Sequence, residues 1–355
     1  MANTRTIERL QRWTSTIPQG VALKRRLRND ATACGVTLWL SRPGGGDRFT
    51  IIVHHRVEER PDPYYPVHYS VAVEVLEAQL EMFSRFCTVL PLDDIVRRLE
   101  EGRPLPRRCV ALTFDDGYRE VFTLVRPLLK RYGLPATLFV TVEALERGFL
   151  WPDLLRYAIR QTHEPHVALE TLDGSALELA LSTDANRLQA VKRLDALLKQ
   201  LANGHKQRVL GELVRKLLHV EPRAVAMERV MLSWEELNAL MRDGLAIGSH
   251  TMTHPILTRV STEQAAEEIA RSRQALQARL GRAVDHFAYP NGQPEDFSPA
   301  IQRLVASAGF RSASTTVSGI NTRTEDRFAL KRINGAQASL RELVRVIEGA
   351  LACRG

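Results

Sequence analysis

The chain has 355 residues, 44% of them hydrophobic and 25% charged, the composition of a globular protein able to bury a substantial core. This excludes a disordered chain, and no run approaches the roughly 20 apolar residues of a membrane-spanning helix. Four scattered cysteines, Cys34, Cys87, Cys109 and Cys353, without paired spacing exclude a disulfide framework and a CxxC metal knuckle.

The net charge of +8 is unevenly spread: residues 1–42 carry Arg5, Arg9, Arg12, Lys24, Arg25, Arg26, Arg28 and Arg42 against only Glu8 and Asp30. With the glycine-rich linker that follows, residues 1–47 read as a basic arm and linker, and the folded part as residues 48–355. Such an arm could contact anionic lipid headgroups, where each basic residue is worth on the order of 1 kcal/mol, or could simply be a solvated helix. Nucleic acid is not an expected partner, because no aromatic residues interleave with the basic ones in a recognisable module. No apolar stretch follows the first positive charges as it would in a secretory signal, so the expectation is a cytoplasmic protein, with peripheral membrane contact as an option.

Beyond the linker, Phe49-Thr-Ile-Ile-Val53 is an apolar, β-branched run that predicts a buried first strand. Helical spacing of apolar residues predicts a helix over 73–86, then a strand at 88–90 and a helix over 93–99. The next strand, 108–114, stops at Asp115-Asp116-Gly117 and is followed by a helix over 118–132 and a strand at 136–140. Strands alternating with helices imply parallel pairing through βαβ units. From residue 149 to 230 the rhythm changes to a helix over 153–162, two short strands around Asp173-Gly174-Ser175 and two long amphipathic helices, which reads as a hairpin plus helical insertion. The alternation resumes with Ser233, placed to cap a helix with Glu236 at the capping-box position, a strand at 245–248, a helix over 262–280 and a strand at 285–288.

Three loops, each directly after a predicted strand, hold the polar residues that a barrel gathers at the carboxyl ends of its strands. The first is Thr113-Phe-Asp-Asp-Gly-Tyr118. Side chains alternate along a strand, so Asp115 and Asp116 point differently unless the turn rotates them; one can ligate a metal while the other stays free as a base. An aspartate capping the next helix is the structural alternative. The second loop is Ser249-His-Thr-Met-Thr-His254. Pro255 opposes a helix there and biases His254 toward extended backbone, so these histidines are expected on a loop. With an aspartate, two histidines suit the N/O ligation of Zn²⁺ or a similar divalent ion, and no HExxH motif is present. Three protein ligands leave positions open for water and a substrate oxygen, and Asp115 could then deprotonate that water. His55, after the first strand in Val53-His-His-Arg56, is the best-placed acid for a leaving amine, a structural histidine being the alternative.

Together these residues resemble the polysaccharide deacetylases of carbohydrate esterase family 4, the NodB homology group. Thr113-Phe-Asp-Asp-Gly-Tyr118 is similar to the family's first motif, His250-Thr-Met-Thr-His254 to its histidine motif, and Phe287-Ala-Tyr-Pro-Asn-Gly292 to its third, groove-lining motif. The resemblance runs from about residue 51 to 333, interrupted by the insertion. It implies a distorted (β/α)₇ barrel and a metal-dependent hydrolase that removes N-acetyl groups from a polysaccharide, an oligosaccharide or a glycan precursor. By the same resemblance Asp115 is the catalytic base, Asp116, His250 and His254 bind the metal, and the backbone N–H of Tyr118 helps hold the oxyanion. The opening His-His-Arg-Val also resembles the start of the branch that contains biofilm exopolysaccharide deacetylases, which favours His55 over His54 as the acid. O-acetyl esterases and non-sugar amidases use the same machinery, and a catalytically silent carbohydrate-binding barrel is a further alternative. The third motif lacks the arginine that often steadies the catalytic aspartate, and Arg332 could supply that guanidinium. Tyr289 and Pro290 could line the sugar site, with plain packing as the alternative.

Overall fold

The computed structural model describes residues 46–60, 62–66, 68–170 and 176–348; nearly all of the basic arm, residues 1–45, lies outside the described residues. The strands are β1 (Arg48–His54), β2 (Arg56–Glu58), β3 (Ser70–Ala72), β4 (Thr88–Val89), β5 (Cys109–Phe114), β6 (Thr137–Val140), β7 (His166–Glu170), β8 (Ala176–Ala180), β9 (Ala246–Ser249), β10 (His286–Ala288), β11 (Ser312–Ser314), β12 (Asn321–Thr322) and β13 (Ile333–Asn334). β11, β10, β9, β6, β5 and β1 lie side by side in that order, and every pair is parallel. The edges are drawn together by one segment: Leu330 bridges Ser314 of β11, and three residues later Ile333 pairs with Ile52 of β1. The result is the curled, distorted barrel expected from the alternation of strands and helices, with residues 330–334 as the closing stave.

Period-two alternation decides what each stave faces. Phe49 and Ile51 of β1, Cys109 and Ala111 of β5, Phe139, Ala288 and Leu330 touch one another across the barrel, with Leu92, Ile95 and Val96 of the helix Leu92–Glu100 joining them. The alternate residues, Ile52, Val110, Leu112, Phe114, Leu138, Val140, Ile247 and Phe287, pack outward against the surrounding helices. Gly248 is required in this interior, since a Cβ there would stand 2.4 Å from a ring carbon of Phe139. The interior is therefore a packed core, as small barrels need.

The helices begin and stop where their side chains dictate. Ser233 accepts from Glu236 N while the Glu236 carboxylate accepts from Ser233 N, closing the expected capping box on the helix Trp234–Arg242. Gly281, left-handed, ends the helix Thr262–Leu280. One element differs from expectation. Residues 118–132 are not one α-helix: Tyr118 pairs with Met231, and a π-helical turn, Val121–Val125, precedes the helix Arg126–Tyr132. Tertiary pairing has overridden the periodicity at its start.

The chain leaves the barrel after Gly148 and returns at Val230, whose N–H donates to the Gly148 carbonyl at 2.8 Å. Between them, the helix Trp151–Gln161, the antiparallel pair β7 and β8, and the helices Asp184–Gln200 and Asn203–Leu218 share a core of their own, with Leu155, Leu194 and Leu213 at its centre. No helix among the described residues is long and apolar enough to cross a membrane.

Candidate active site

The inward registers of the staves continue past the core into a cleft of about 760 Å³. His55 follows Phe49, Ile51 and Val53; Asp115 follows Cys109, Ala111 and Thr113; His250 follows Gly248; Arg332 follows Leu330. All four line this cleft. His54, one residue out of step, stands on the other side of β1. It stacks on Phe114, and its Nε2 meets Gln79 Oε1 at 2.9 Å, while burial pushes its pKa down to about 4.

By alternation Asp116 would point away from the cleft, and the turn reverses it. The Gly117 N–H donates to the Asp115 carbonyl at 2.9 Å, a three-residue turn around Asp116 with its φ at 72°, and Gly117 follows with a φ of 95°. Such γ-turns are rare and strained for a non-glycine residue. The strain brings Asp116 Oδ1 to 3.3 Å from His250 Nε2 and 3.2 Å from His254 Nε2, with the two histidine nitrogens themselves 3.2 Å apart.

The loop carrying the histidines is not helical, as Pro255 dictates, but His254 is not extended as expected. Its φ is 61°, and Thr251 has a φ of 70°. Proline disfavours the right-handed helical region for its predecessor and leaves the left-handed one open. Here that conformation is secured by hydrogen bonds. The His254 N–H donates to Thr251 Oγ1 at 3.0 Å, and Glu268, reaching in from the helix Thr262–Leu280, accepts from the backbone N–H groups of Met252 and Thr253, both at 2.9 Å.

An equilateral triangle of ligand atoms 3.2–3.3 Å on a side is the face of a tetrahedron with arms of about 2 Å, the bond length of zinc to nitrogen or carboxylate oxygen. The tautomers agree with it. The Ala288 carbonyl lies 2.8 Å from His250 Nδ1 and accepts a hydrogen bond from its N–H, leaving the Nε2 lone pair facing the triangle. Tyr69 donates its hydroxyl to Asp116 Oδ2, fixing the carboxylate so that Oδ1 faces the histidines. Asp116, His250 and His254 thus fit a divalent cation by donor type, orientation and spacing, and no other such group of three lies among the described residues.

Asp115 is held apart from this triangle. Arg332 Nη1 donates to its Oδ1 at 2.7 Å and Nη2 to its Oδ2 at 2.6 Å, and both side chains are buried. Arg332 is fixed in turn by the carbonyl of Thr315, which accepts from Nε at 2.5 Å. Burial alone would raise the Asp115 pKa, but Arg332, aided by His250 and His55, outweighs it and holds the group ionised below the ordinary carboxylate range. His55 Nε2 stands 3.9 Å from Asp115 Oδ2, and its ring stacks on Tyr69. Burial holds the His55 pKa below its usual value, against the pull of Asp116 and Asp115.

The remaining expected residues divide. Hydrogen bonds from Arg119 N to Val230 O and from Leu232 N to Gly117 O flank Tyr118, whose own amide takes no part in them; its hydroxyl donates to Asp153 at 3.0 Å. Tyr289 touches the cleft while its ring packs against Phe287 and Phe297 and its hydroxyl donates to Phe328 O at 2.8 Å. Pro290 is buried and does not line the cleft. Two contributors carry no motif: Tyr69 lies in a stretch of prolines and tyrosines without periodicity, and Glu268 shows only as a carboxylate on the buried face of an amphipathic helix. Trp151, Pro152 and Arg156, from the segment between Gly148 and Val230, complete one wall.

Residues 102–313, more than half of the chain, match the family model for polysaccharide deacetylase. Among curated relatives, the chain is 19% identical over 246 residues to YxkH of Bacillus subtilis strain 168, covering 69% of this chain and 58% of that one. A stretch of 35 residues is 51% identical to the poly-beta-1,6-N-acetyl-D-glucosamine N-deacetylase of Escherichia coli K12, but covers 10% of this chain and only 5% of that protein. Among solved structures, the deacetylase PplD of Streptococcus pyogenes superposes with a TM-score of 0.57 at 16% identity, covering 86% of this chain and 99% of that one. IcaB of Ammonifex degensii does so with 0.53 at 18%, covering 86% and 98%. These likenesses share the fold described above, and with the match of the family model the conclusion is plain: the chain belongs to the polysaccharide deacetylase family.

Proposed function

We propose that the protein is a metal-dependent carbohydrate de-N-acetylase, a hydrolase that releases acetate from an N-acetylated glycan or glycan precursor and leaves a free amine. One observation carries the reading: a preformed triangle of Asp116, His250 and His254 beside a separately held, ionised Asp115, at the floor of one cleft. When bound there, Zn²⁺ or another divalent cation supplies Lewis acidity, polarising an acyl carbonyl and lowering the pKa of water.

In this reading the protein's own groups handle the protons and the geometry. Asp115, oriented by Arg332, is the general base and takes a proton from the attacking water. As the carbon–nitrogen bond breaks, the amine nitrogen needs a proton; His55, whose pKa burial holds down and whose Nε2 stands 3.9 Å from Asp115 Oδ2, receives from Asp115 the proton taken from water and delivers it to nitrogen. The balance closes: the proton removed from water ends on nitrogen, and the water oxygen leaves in the acetate, whose acidic proton passes to solvent or amine. The Tyr118 amide, free of the bridge that flanks it, is the proposed donor to the oxyanion. Tyr289, which touches the cleft, contributes to the sugar-binding wall.

The test is a panel of N-acetylated oligosaccharides, O-acetylated sugars and non-sugar acetamides, assayed for acetate and for new amine, with the protein metal-loaded and then chelated. Metal-dependent appearance of both products from the sugars alone supports the proposal. Acetate without amine would make the enzyme an esterase, and release from non-sugar acetamides alone an amidase. Peripheral contact through the basic arm is tested separately, by sedimentation with anionic vesicles at low and high salt.

A further inference from the structure

The wall contributed by residues 149–230 carries a cation that nothing in the proposed chemistry uses. Lys206 is only 4% exposed and lines the cleft, and its ammonium has no hydrogen-bond or ion-pair partner among the described residues. Its ammonium lies 5.2 Å from the centre of the Trp151 ring and is near enough to His254 to act on it electrostatically. Burial lowers its pKa to about 8, which leaves it largely protonated at neutral pH.

Its surroundings add donors and, among the described residues, place no carboxylate within ion-pair distance of its ammonium. Lys206 sits in the first turns of the helix Asn203–Leu218, whose N-cap position is Ala202 and has no side-chain cap, and Asn203 also lines the cleft. The first amides of such a helix attract an anion. Arg259, exposed at the rim, faces both this cleft and a smaller one beside Asn203, and no ion pair ties it down among the described residues. The carboxylates of the cleft are engaged elsewhere: Asp195 with Arg156 at 3.2 Å and Lys199 at 2.9 Å, Asp115 with Arg332, Asp116 in the ligand triangle, and Glu342 with the Ser339 N–H at 2.8 Å. Glu268, which pulls on Lys206, is committed to the histidine loop. An ammonium on a largely buried side chain, met only by the face of the Trp151 ring and without a hydrogen bond or ion pair among the described residues, is stabilised by a ligand that supplies an anion.

We infer that Lys206, Asn203 and Arg259 form an anion subsite, and that the substrate is an acidic glycan whose carboxylate or phosphate reaches Lys206 while its acetamide lies over Asp116, His250 and His254. This deepens the deacetylase reading and rests on it for the acetamide. The anion is a second contact, distinct from the one being hydrolysed.

Binding, measured by calorimetry without turnover, keeps the two readings separable. The probes are neutral tetra-N-acetylchitotetraose, a tetrasaccharide alternating N-acetylglucosamine with glucuronic acid, and uridine diphosphate N-acetylglucosamine, each titrated into the metal-free full chain, with acetate release assayed separately on the zinc-loaded protein. At least one acidic probe is expected to bind about tenfold more tightly than the neutral one, the strength of one charge-assisted contact. Preference for the second probe identifies a uronate, and preference for the third a phosphate. Lys206→Met should erase the preference and Lys206→Arg should keep it. Equal affinity for all three probes in the wild type, or a preference that survives Lys206→Met, overturns the inference. If Lys206→Met does not melt cooperatively, the wild-type comparison and Lys206→Arg decide. Absence of acetate release from every probe would count against the deacetylase reading and leave the binding comparison intact.

Discussion

Arg332 and Asp115, 217 residues apart in the chain, meet in a two-point ion pair with both side chains buried. Arg332 sits on the stave that closes the barrel between β11 and β1, so closure of the fold and orientation of the proposed base depend on one segment. Replacing Arg332 by methionine leaves a buried carboxylate without its partner, a change that typically costs about 3–5 kcal/mol. The sign with pH follows from the lowered Asp115 pKa. The pair's contribution is present above the unfolded value of about 3.9 and is lost as pH falls through the depressed folded value. Without Arg332 the folded pKa rises, so the acid limb of activity should move to higher pH and melting temperature should fall. Unchanged melting and an unchanged pH profile would remove Arg332 from this role.

Tyr69→Phe deletes only the hydroxyl that fixes Asp116 Oδ2. Loss of such a supporting bond typically weakens metal binding about 10- to 100-fold. Competition against a chromogenic chelator should show that loss, and the metal-free protein should also melt at a lower temperature, because buried Asp116 loses a hydrogen-bond donor even though the ring still stacks on His55.

His54 and His55 are neighbours with opposite expectations. His55→Asn should lower kcat by about 10²- to 10⁴-fold, the range for removal of a general acid–base group, with little change in stability. His54→Asn should do the reverse, since it breaks the contact with Gln79, which in turn donates to Gly335 O at 2.8 Å. Steady-state kinetics and thermal melting of the pair check both, and a swap of the two outcomes would invert the assignment.

Much of this was legible in the sequence because it rests on period and punctuation. Alternation of strands and helices gives the barrel, and the two-residue period through Phe49, Ile51, Val53 and His55 sends one histidine inward and the other out. The capping box at Ser233 and Glu236 is written in four residues. What escaped depends on contacts distant in sequence or on unusual backbone. The reversal of Asp116 needs a left-handed turn that alternation does not foresee, and His254 took the left-handed region where proline suggested an extended one. Tyr69 reaches Asp116 across 47 positions, and Glu268 reaches the histidine loop from a helix whose pattern reads as ordinary amphipathic packing. Residues 118–132 keep a helical period, yet the pairing of Tyr118 with Met231 interrupts it.

The most direct test of the account compares zinc-loaded wild type with Asp115→Asn, measuring bound metal and acetate release from N-acetylated oligosaccharides in the same samples. One zinc per chain is expected in both proteins, with a loss of acetate release of about 10²- to 10⁴-fold in the variant, the range for removal of a general base. Full activity in Asp115→Asn with its zinc in place would contradict it, because the carboxylate held by Arg332 would then not be the base.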